Sequence, residues 1–256
     1  MKKLPSISAF FPAFNDGGTI PSMVISVVRT LPKVTDDYEV VVVNDGSSDY
    51  TAEMLEELDR LYPQVRIVTH PQNRGYGAAL RSGFSSATKE WIFYTDGDGQ
   101  YDPRELVNLV EAVQEDTDIV NGFKIERHDP LHRVIIGRVY HHIVRLMFGF
   151  RLRDVDCDFR LIRRKVFDEV QLRSTSGTIC LEMVKKMQDA GFKFEEVPVH
   201  HFHRAYGKSQ FFNFPRLVRT AVQLVTLWRD LLWGYSLAKI RTRLKSLLTI
   251  SPSRWK

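Results

Sequence analysis

The chain has 256 residues, of which 43% are hydrophobic and 26% charged, and a formal net charge of +5. That balance excludes a disordered or low-complexity protein and leaves ample length for one full core. Two cysteines, Cys157 and Cys180, exclude a disulfide-stapled secreted scaffold and suit a reducing cytoplasm, and no apolar run approaches the roughly 18 residues of a membrane-spanning helix.

Taken in chain order, strand and helix signals alternate. Ser6–Phe11 reads as a strand, Pro12–Gly18 as a loop, and Ile20 to about Thr30 as a helix. The start up to Phe11 lacks a full signal-peptide pattern, because Pro5 interrupts a short apolar stretch. The β-branched run Tyr38–Val43 is a buried strand that breaks at Asn44-Asp45-Gly46-Ser47-Ser48-Asp49, and a helix follows to about Leu61. Val65–Thr69 is a third strand. Asn73-Arg74-Gly75-Tyr76-Gly77 opens a helix reaching about Ala87, and Trp91–Thr95 is a fourth strand. A β-α-β-α succession of this kind makes a mostly parallel, doubly wound α/β sheet, which binds ligands beyond its C-terminal strand ends. The loops after the four strands all lie at that edge.

Beyond Pro103 the pattern predicts a helix to about Glu115, a strand Ile119–Phe123, and a helix from Arg133 to Phe148. Further strand, helix and strand signals fall at Phe159–Ile162, Cys180–Ala190 and Phe194–Val199. Residues 213–256 form a basic helical tail after a domain of residues 1–212. Phe214–Trp233 carries an apolar stripe of Leu217, Val218, Ala221, Leu224, Val225, Trp228, Leu231 and Leu232, and Leu237–Leu248 repeats the pattern. Charge is divided unevenly along the chain. Residues 1–203 hold 25 Lys and Arg against 30 Asp and Glu, whereas residues 204–256 hold 11 against Asp230 alone. The helices could cap the domain. Basic residues interleaved with Trp228, Trp233 and Trp255 fit better a helix lying in an anionic membrane interface, with no nucleic acid as partner.

The most informative segment is Trp91–Pro103, an apolar strand that ends in two carboxylates, Asp96 and Asp98, one residue apart. Like charges at a strand end repel and lose hydration unless a cation offsets them. Oxygen donors of this type suit Mg²⁺ or Mn²⁺, ions that commonly bring a diphosphate. A calcium loop starting at Asp96 fails, because its sixth and twelfth places hold Tyr101 and Val107 instead of Gly and Glu. A dinucleotide fingerprint fails too, since Pro12-Ala-Phe-Asn-Asp-Gly-Gly follows the first strand. The loops Pro12–Asp16 and Asn44–Asp49 are each, in isolation, no more than capped turns. On one sheet edge with Asp96 and Asp98 they suggest a nucleotide site, with Asp45 toward base or ribose.

The chain resembles a family 2 glycosyltransferase of the GT-A fold, in the dolichyl-phosphate mannose synthase-like branch that uses polyprenyl phosphates. Five stretches across residues 6–212 carry the resemblance: Pro12–Asp16, Asn44–Thr51, Asn73–Gly83, Asp96–Gln100, and Glu196–Val199 followed by Arg204–Ser209. The resemblance implies that Pro12, Phe14, Asp16, Val43 and Asp45 line the base and ribose pocket. It makes Asp96-Gly97-Asp98 a D-x-D motif, with Asp98 as the main ligand of Mg²⁺ or Mn²⁺ and Asp96 and Gln100 beside it. It implies that Lys124, Arg133 and Arg204 grip donor diphosphate or acceptor phosphate. The chain departs from relatives at Asn44, at Lys124 where Arg is usual, at Asp158 where a small residue is common, and at Gln210.

The expected activity is inverting transfer from a nucleotide-diphosphate sugar, of the GDP-mannose or UDP-glucose type, to a polyprenyl or dolichyl phosphate at the cytoplasmic face of a membrane. A saccharide or protein hydroxyl acceptor would instead need a carboxylate base, Asp158 or Glu182, and an inactive nucleotide-sugar scaffold is the third reading. His200, His201 and His203 border the Arg204 loop, and Cys157 reads as a buried thiol. Sugar, metal preference, lipid length and oligomeric state stay open at this level.

Overall fold

The computed structural model describes residues 1–125, 142–204 and 219–231. Among them, seven strands form one sheet in the order β3-β2-β1-β4-β6-β5-β7. They are β1 (Ile7–Ala13), β2 (Tyr38–Asn44), β3 (Val65–Thr69), β4 (Trp91–Thr95), β5 (Ile119–Lys124), β6 (Phe159–Arg163) and β7 (Phe194–Val199). Strands β1 to β4 are parallel, β5 and β7 are parallel, and β6 alone runs antiparallel to both of its neighbours. This is the mostly parallel α/β sheet expected, with one reversed strand that the apolar pattern did not disclose.

Helices cover both faces, so the central strands are buried on both sides and read as unbroken apolar runs. Successive residues divide between two core layers. Ala9, Phe11, Val40, Val42 and Phe93 pack with α1 (Ile20–Val34), α2 (Thr51–Leu61) and α4 (Leu106–Ala112). Phe10, Val41, Val43, Ile92 and Tyr94 pack with α3 (Tyr76–Ser86) and α6 (Ile179–Asp189). A short helix α5 (Val166–Glu169) adds Val166 to the second layer.

Two boundaries differ instructively from expectation. Helix α1 runs past Thr30 to Val34 despite Pro32, because Leu31 and Val34 are fully buried and their packing outweighs the lost hydrogen bond. The helix after Pro103 begins as a 3₁₀ turn, Pro103–Glu105, with the Asp102 carboxylate accepting from Arg104 N–H, and α4 ends at Ala112, short of Glu115. There Thr117 Oγ1 accepts Gln114 N–H at 2.8 Å and turns the chain toward β5.

The chain divides into two units, Met1–Ser209 and Gln210–Lys256. Residues 142–148 are helical, within the helix expected from Arg133; Arg133 itself lies outside the described residues. In the second unit residues 219–231 are helical, with Leu224 and Leu227 buried and Val222, Val225 and Trp228 exposed. The stripe residues Leu217, Val218 and Leu232 and the segment Leu237–Leu248 lie outside the described residues. Among the described residues no helix is long and apolar enough to cross a membrane.

Candidate active site

Loops from the C-terminal ends of β1, β2, β3 and β4 meet at one sheet edge, and the segment after β7 returns to it. Asp98 stands at the centre. It is 5% exposed. Its Oδ1 accepts Gln100 N–H at 3.0 Å and its Oδ2 accepts Arg204 Nη2–H at 2.6 Å. Arg204 arrives there because residues 200–204 are strapped to the loop after β4. His200 N–H donates to Glu105 Oε2 at 2.9 Å, Phe202 N–H donates to Gln100 O at 2.8 Å, and Gln100 Nε2 donates back to Phe202 O at 3.1 Å. Gln100, expected beside a metal, thus spends its amide N–H on this strap, and its amide oxygen has no hydrogen-bond partner among the described residues.

Asp96 accepts the Tyr76 hydroxyl at 2.8 Å. Burial drives its carboxyl far above the usual carboxylate range, and the charges of Asp158 and Asp98 add to the shift. Burial also raises Asp98, partly offset by Arg204. Asp16 is pushed up to about 6 by burial, against a hydrogen bond from Phe14 N–H, with the charge of Asp98 adding to the rise. Three carboxylates disfavoured as anions at one place make an environment that gains from a cation. Among the described residues no three His, Cys, Asp or Glu side chains form a metal cage of their own. An ion of the Mg²⁺ type takes one or two carboxylates and completes its shell with phosphates and water. Gly97 fits the tight approach of this loop to α1: a Cβ there would lie 2.8 Å from Ile20 Cδ1 and 3.0 Å from Pro12 O.

The second loop is locked from inside. Asp45 is 2% exposed, and its carboxylate accepts the N–H groups of Arg74 and Gly75, both at 2.9 Å, and contacts His70 Nδ1 at 2.6 Å. His70 Nε2 in turn meets Ser82 Oγ at 2.8 Å. Asp45 therefore ties β2 to the loop before α3 and retains about one lone-pair direction for a ligand. Val43 is fully buried in the core layer with Phe10 and Leu80, and Pro12 is also buried; Phe14, 40% exposed, presents an open aromatic face. Asn15, at φ 56°, accepts Ser48 N–H at 2.8 Å and joins the first two loops.

Lys124 belongs to a neighbouring cluster. Its ammonium donates to Asp156 O at 2.9 Å and lies 3.7 Å from Asp154. Arg160, on β6, is fully buried; it donates to Asn121 Oδ1 at 2.5 Å, to Val155 O at 2.6 Å, to the Tyr94 hydroxyl and to Asp158 Oδ1 at 3.3 Å. Glu182 accepts Ser174 N–H at 2.8 Å, Arg173 N–H at 3.0 Å and Lys186 Nζ at 2.5 Å. Burial raises its carboxyl, but the bonds from Lys186 and Ser174 prevail and hold it below the usual value.

Sequence reasoning found Asp96, Asp98 and Arg204, which the structure brings together, but missed Tyr76, His70, Tyr94 and Arg160. Tyr76 stood inside a quoted motif, and Arg160 carried no signal beyond its place two residues after Asp158. Neither reveals its partner without the fold.

The sequence profile described as "Glycosyl transferase family 2" matches residues 8–171. The chain is 30% identical over 231 residues to undecaprenyl-phosphate 4-deoxy-4-formamido-L-arabinose transferase of Enterobacter sp. (strain 638), covering 88% of this chain and 68% of that one. Its fold is similar to crystal structures of glucosyl-3-phosphoglycerate synthase from Mycobacterium tuberculosis. The UDP complex gives a TM-score of 0.68 at 18% identity, covering 88% of this chain and 79% of that one. The complex with Mn²⁺, UDP and glucosyl-3-phosphoglycerate gives 0.66 at 18% identity, covering 87% and 78%.

Proposed function

Because the chain belongs to glycosyltransferase family 2, we propose that it transfers a sugar, with inversion, from a nucleotide-diphosphate donor to a polyprenyl phosphate at a membrane surface. The observation that carries the donor half is the meeting of Asp98, Asp96 and Arg204 beyond the strand ends. Buried carboxylates beside a guanidinium suit a diphosphate and its counter-ion. The fold relative crystallised with UDP and Mn²⁺ agrees with that reading. The lipid acceptor rests on the relative named as an undecaprenyl-phosphate transferase. A cytoplasmic, peripheral location is part of the same proposal.

Asp98, with Asp96 and the Gln100 amide oxygen, would hold Mg²⁺ or Mn²⁺. When bound, such an ion neutralises charge developing on the leaving diphosphate. Arg204 offers its guanidinium to phosphate oxygens, with Arg133 assigned to the same task; Lys124, expected to share it, has its ammonium held by Asp156 O and Asp154. Phe14 stacks the base, and Asp16 and Asp45 accept from base or ribose. The acceptor phosphate, with a second pKa of about 6, is largely dianionic at neutral pH. One of its oxygens attacks the anomeric carbon as the bond to the diphosphate breaks, so no protein base has to take a proton. Glu182, saturated by Arg173, Ser174 and Lys186, is not free to serve as one. Catalysis then rests on orientation and electrostatics.

The test uses the purified full chain with a panel of UDP- and GDP-sugars, with and without undecaprenyl phosphate. Expected is sugar transfer only when the lipid phosphate is present, abolished by chelator and reduced by about 10²-fold or more in Asp98→Ala, with an unchanged circular dichroism spectrum. Full turnover in chelator would overturn the metal-assisted mechanism, and transfer to hydroxyl acceptors alone would overturn the lipid assignment.

A further inference from the structure

The reversed strand brings an extra carboxylate to the site. Thr95 pairs with Phe159 and Tyr94 with Arg160 across β4 and β6, so the next antiparallel step sets Asp158 opposite Asp96. Like charges placed opposite each other destabilise a strand pair, which core packing alone gives no reason to build.

Asp158 is held by one oxygen only. The Tyr94 hydroxyl at 3.2 Å, Arg160 Nη1 at 3.3 Å and the Cys180 thiol at 3.0 Å all donate to Oδ1. Arg160 is itself fixed by Asn121 and Val155, so the clamp is rigid and largely dry. Oδ2 has no hydrogen-bond partner among the described residues, and the side chain remains 18% exposed. One oxygen is locked and the other is offered, beside the motif that binds the donor diphosphate.

A carboxylate in this state only accepts hydrogen bonds. It has no donor to give a phosphate oxygen, whereas a neutral hydroxyl is taken with defined direction. On the donor reading above, on which this step rests, we infer that Asp158 reads the sugar being transferred, Oδ2 accepting a hydrogen bond from a ring hydroxyl of the donor.

The experiment compares wild type, Asp158→Asn and Asp158→Ala in the full chain. UDP and GDP are titrated first; then UDP-glucose, UDP-galactose and GDP-mannose; then single deoxyfluoro analogues of whichever sugar turns over. Expected is unchanged nucleoside-diphosphate affinity and a fall of about 10- to 100-fold in kcat/KM for the intact donor on loss of a charged hydrogen bond. For the analogue lacking the contacted hydroxyl, wild type and Asp158→Ala should then differ by less than about twofold. Equal losses for every analogue, or a matching loss of UDP or GDP affinity, would overturn the assignment. So would a fall in kcat alone together with a lost acidic limb of the pH profile, the mark of a general base. Failure of both variants to fold would make Asp158 a counter-ion of Arg160 and overturn it too. If wild type bound no nucleotide sugar, the donor reading itself would fall, and that control separates the two failures.

Discussion

Asp156 shows how single side chains in this region trade stability for charge. Burial raises its carboxyl to about 6, against the pull of Lys124 and with the push of Asp154 and Asp158. A raised carboxyl means that the folded chain binds the proton more tightly than the unfolded one. The penalty is therefore absent below about pH 4, grows as pH rises toward 6, and is complete above it. Asp156→Asn should raise stability by about 1–2 kcal/mol at pH 8, a few degrees in melting temperature, and by almost nothing at pH 4. A scan of melting temperature against pH for both proteins checks this. At the same scale, the pair Asp96 and Asp98 was legible in the sequence because its oddity is local: two charges ending an apolar run. Tyr76, His70 and Arg160 were not, because each acts through a partner 20 to 66 residues away in the chain, which spacing does not reveal.

Secondary-structure elements were legible where burial imposes a period or a run, as in β2, β3, β4 and β7, all recovered within about one residue. Their ends were less so, since Pro32 and Val113 are decided by tertiary packing and turn hydrogen bonds. The direction of β6 left no trace in its side chains at all. The junction of α3 with the loop before α6 depends on Gly77. A Cβ there would lie 2.5 Å from Ser174 O and 2.6 Å from Thr175 C, both backbone atoms that cannot swing away. Gly77→Ala should cost about 1–3 kcal/mol, read as a lower denaturant midpoint. Gly177→Ala, with nothing within 4 Å of its Cβ position, is the control and should stay within about 0.5 kcal/mol.

For the whole molecule, the division of charge suggests where the enzyme works. Deleting residues 214–256 should weaken sedimentation with anionic vesicles, and added salt should weaken binding of the intact chain, at about 1 kcal/mol per basic residue near the surface. Binding that is unchanged by the deletion would mark the tail as a packing element. The order of the sheet also bears on how the chain is made. Strands β1 to β4 are complete by residue 95 and pair with one another. Strand β5, ending at residue 124, pairs only with β6 and β7, which follow at residues 159–163 and 194–199. On a chain emerging from the ribosome, the half carrying the first three loops can close early, while β5 waits with both edges unpaired, a state open to aggregation or chaperone capture. Asp158 and Arg204 reach Asp96 and Asp98 only after that wait, so the carboxylate cluster at the sheet edge is completed by the last part of the sheet to be made.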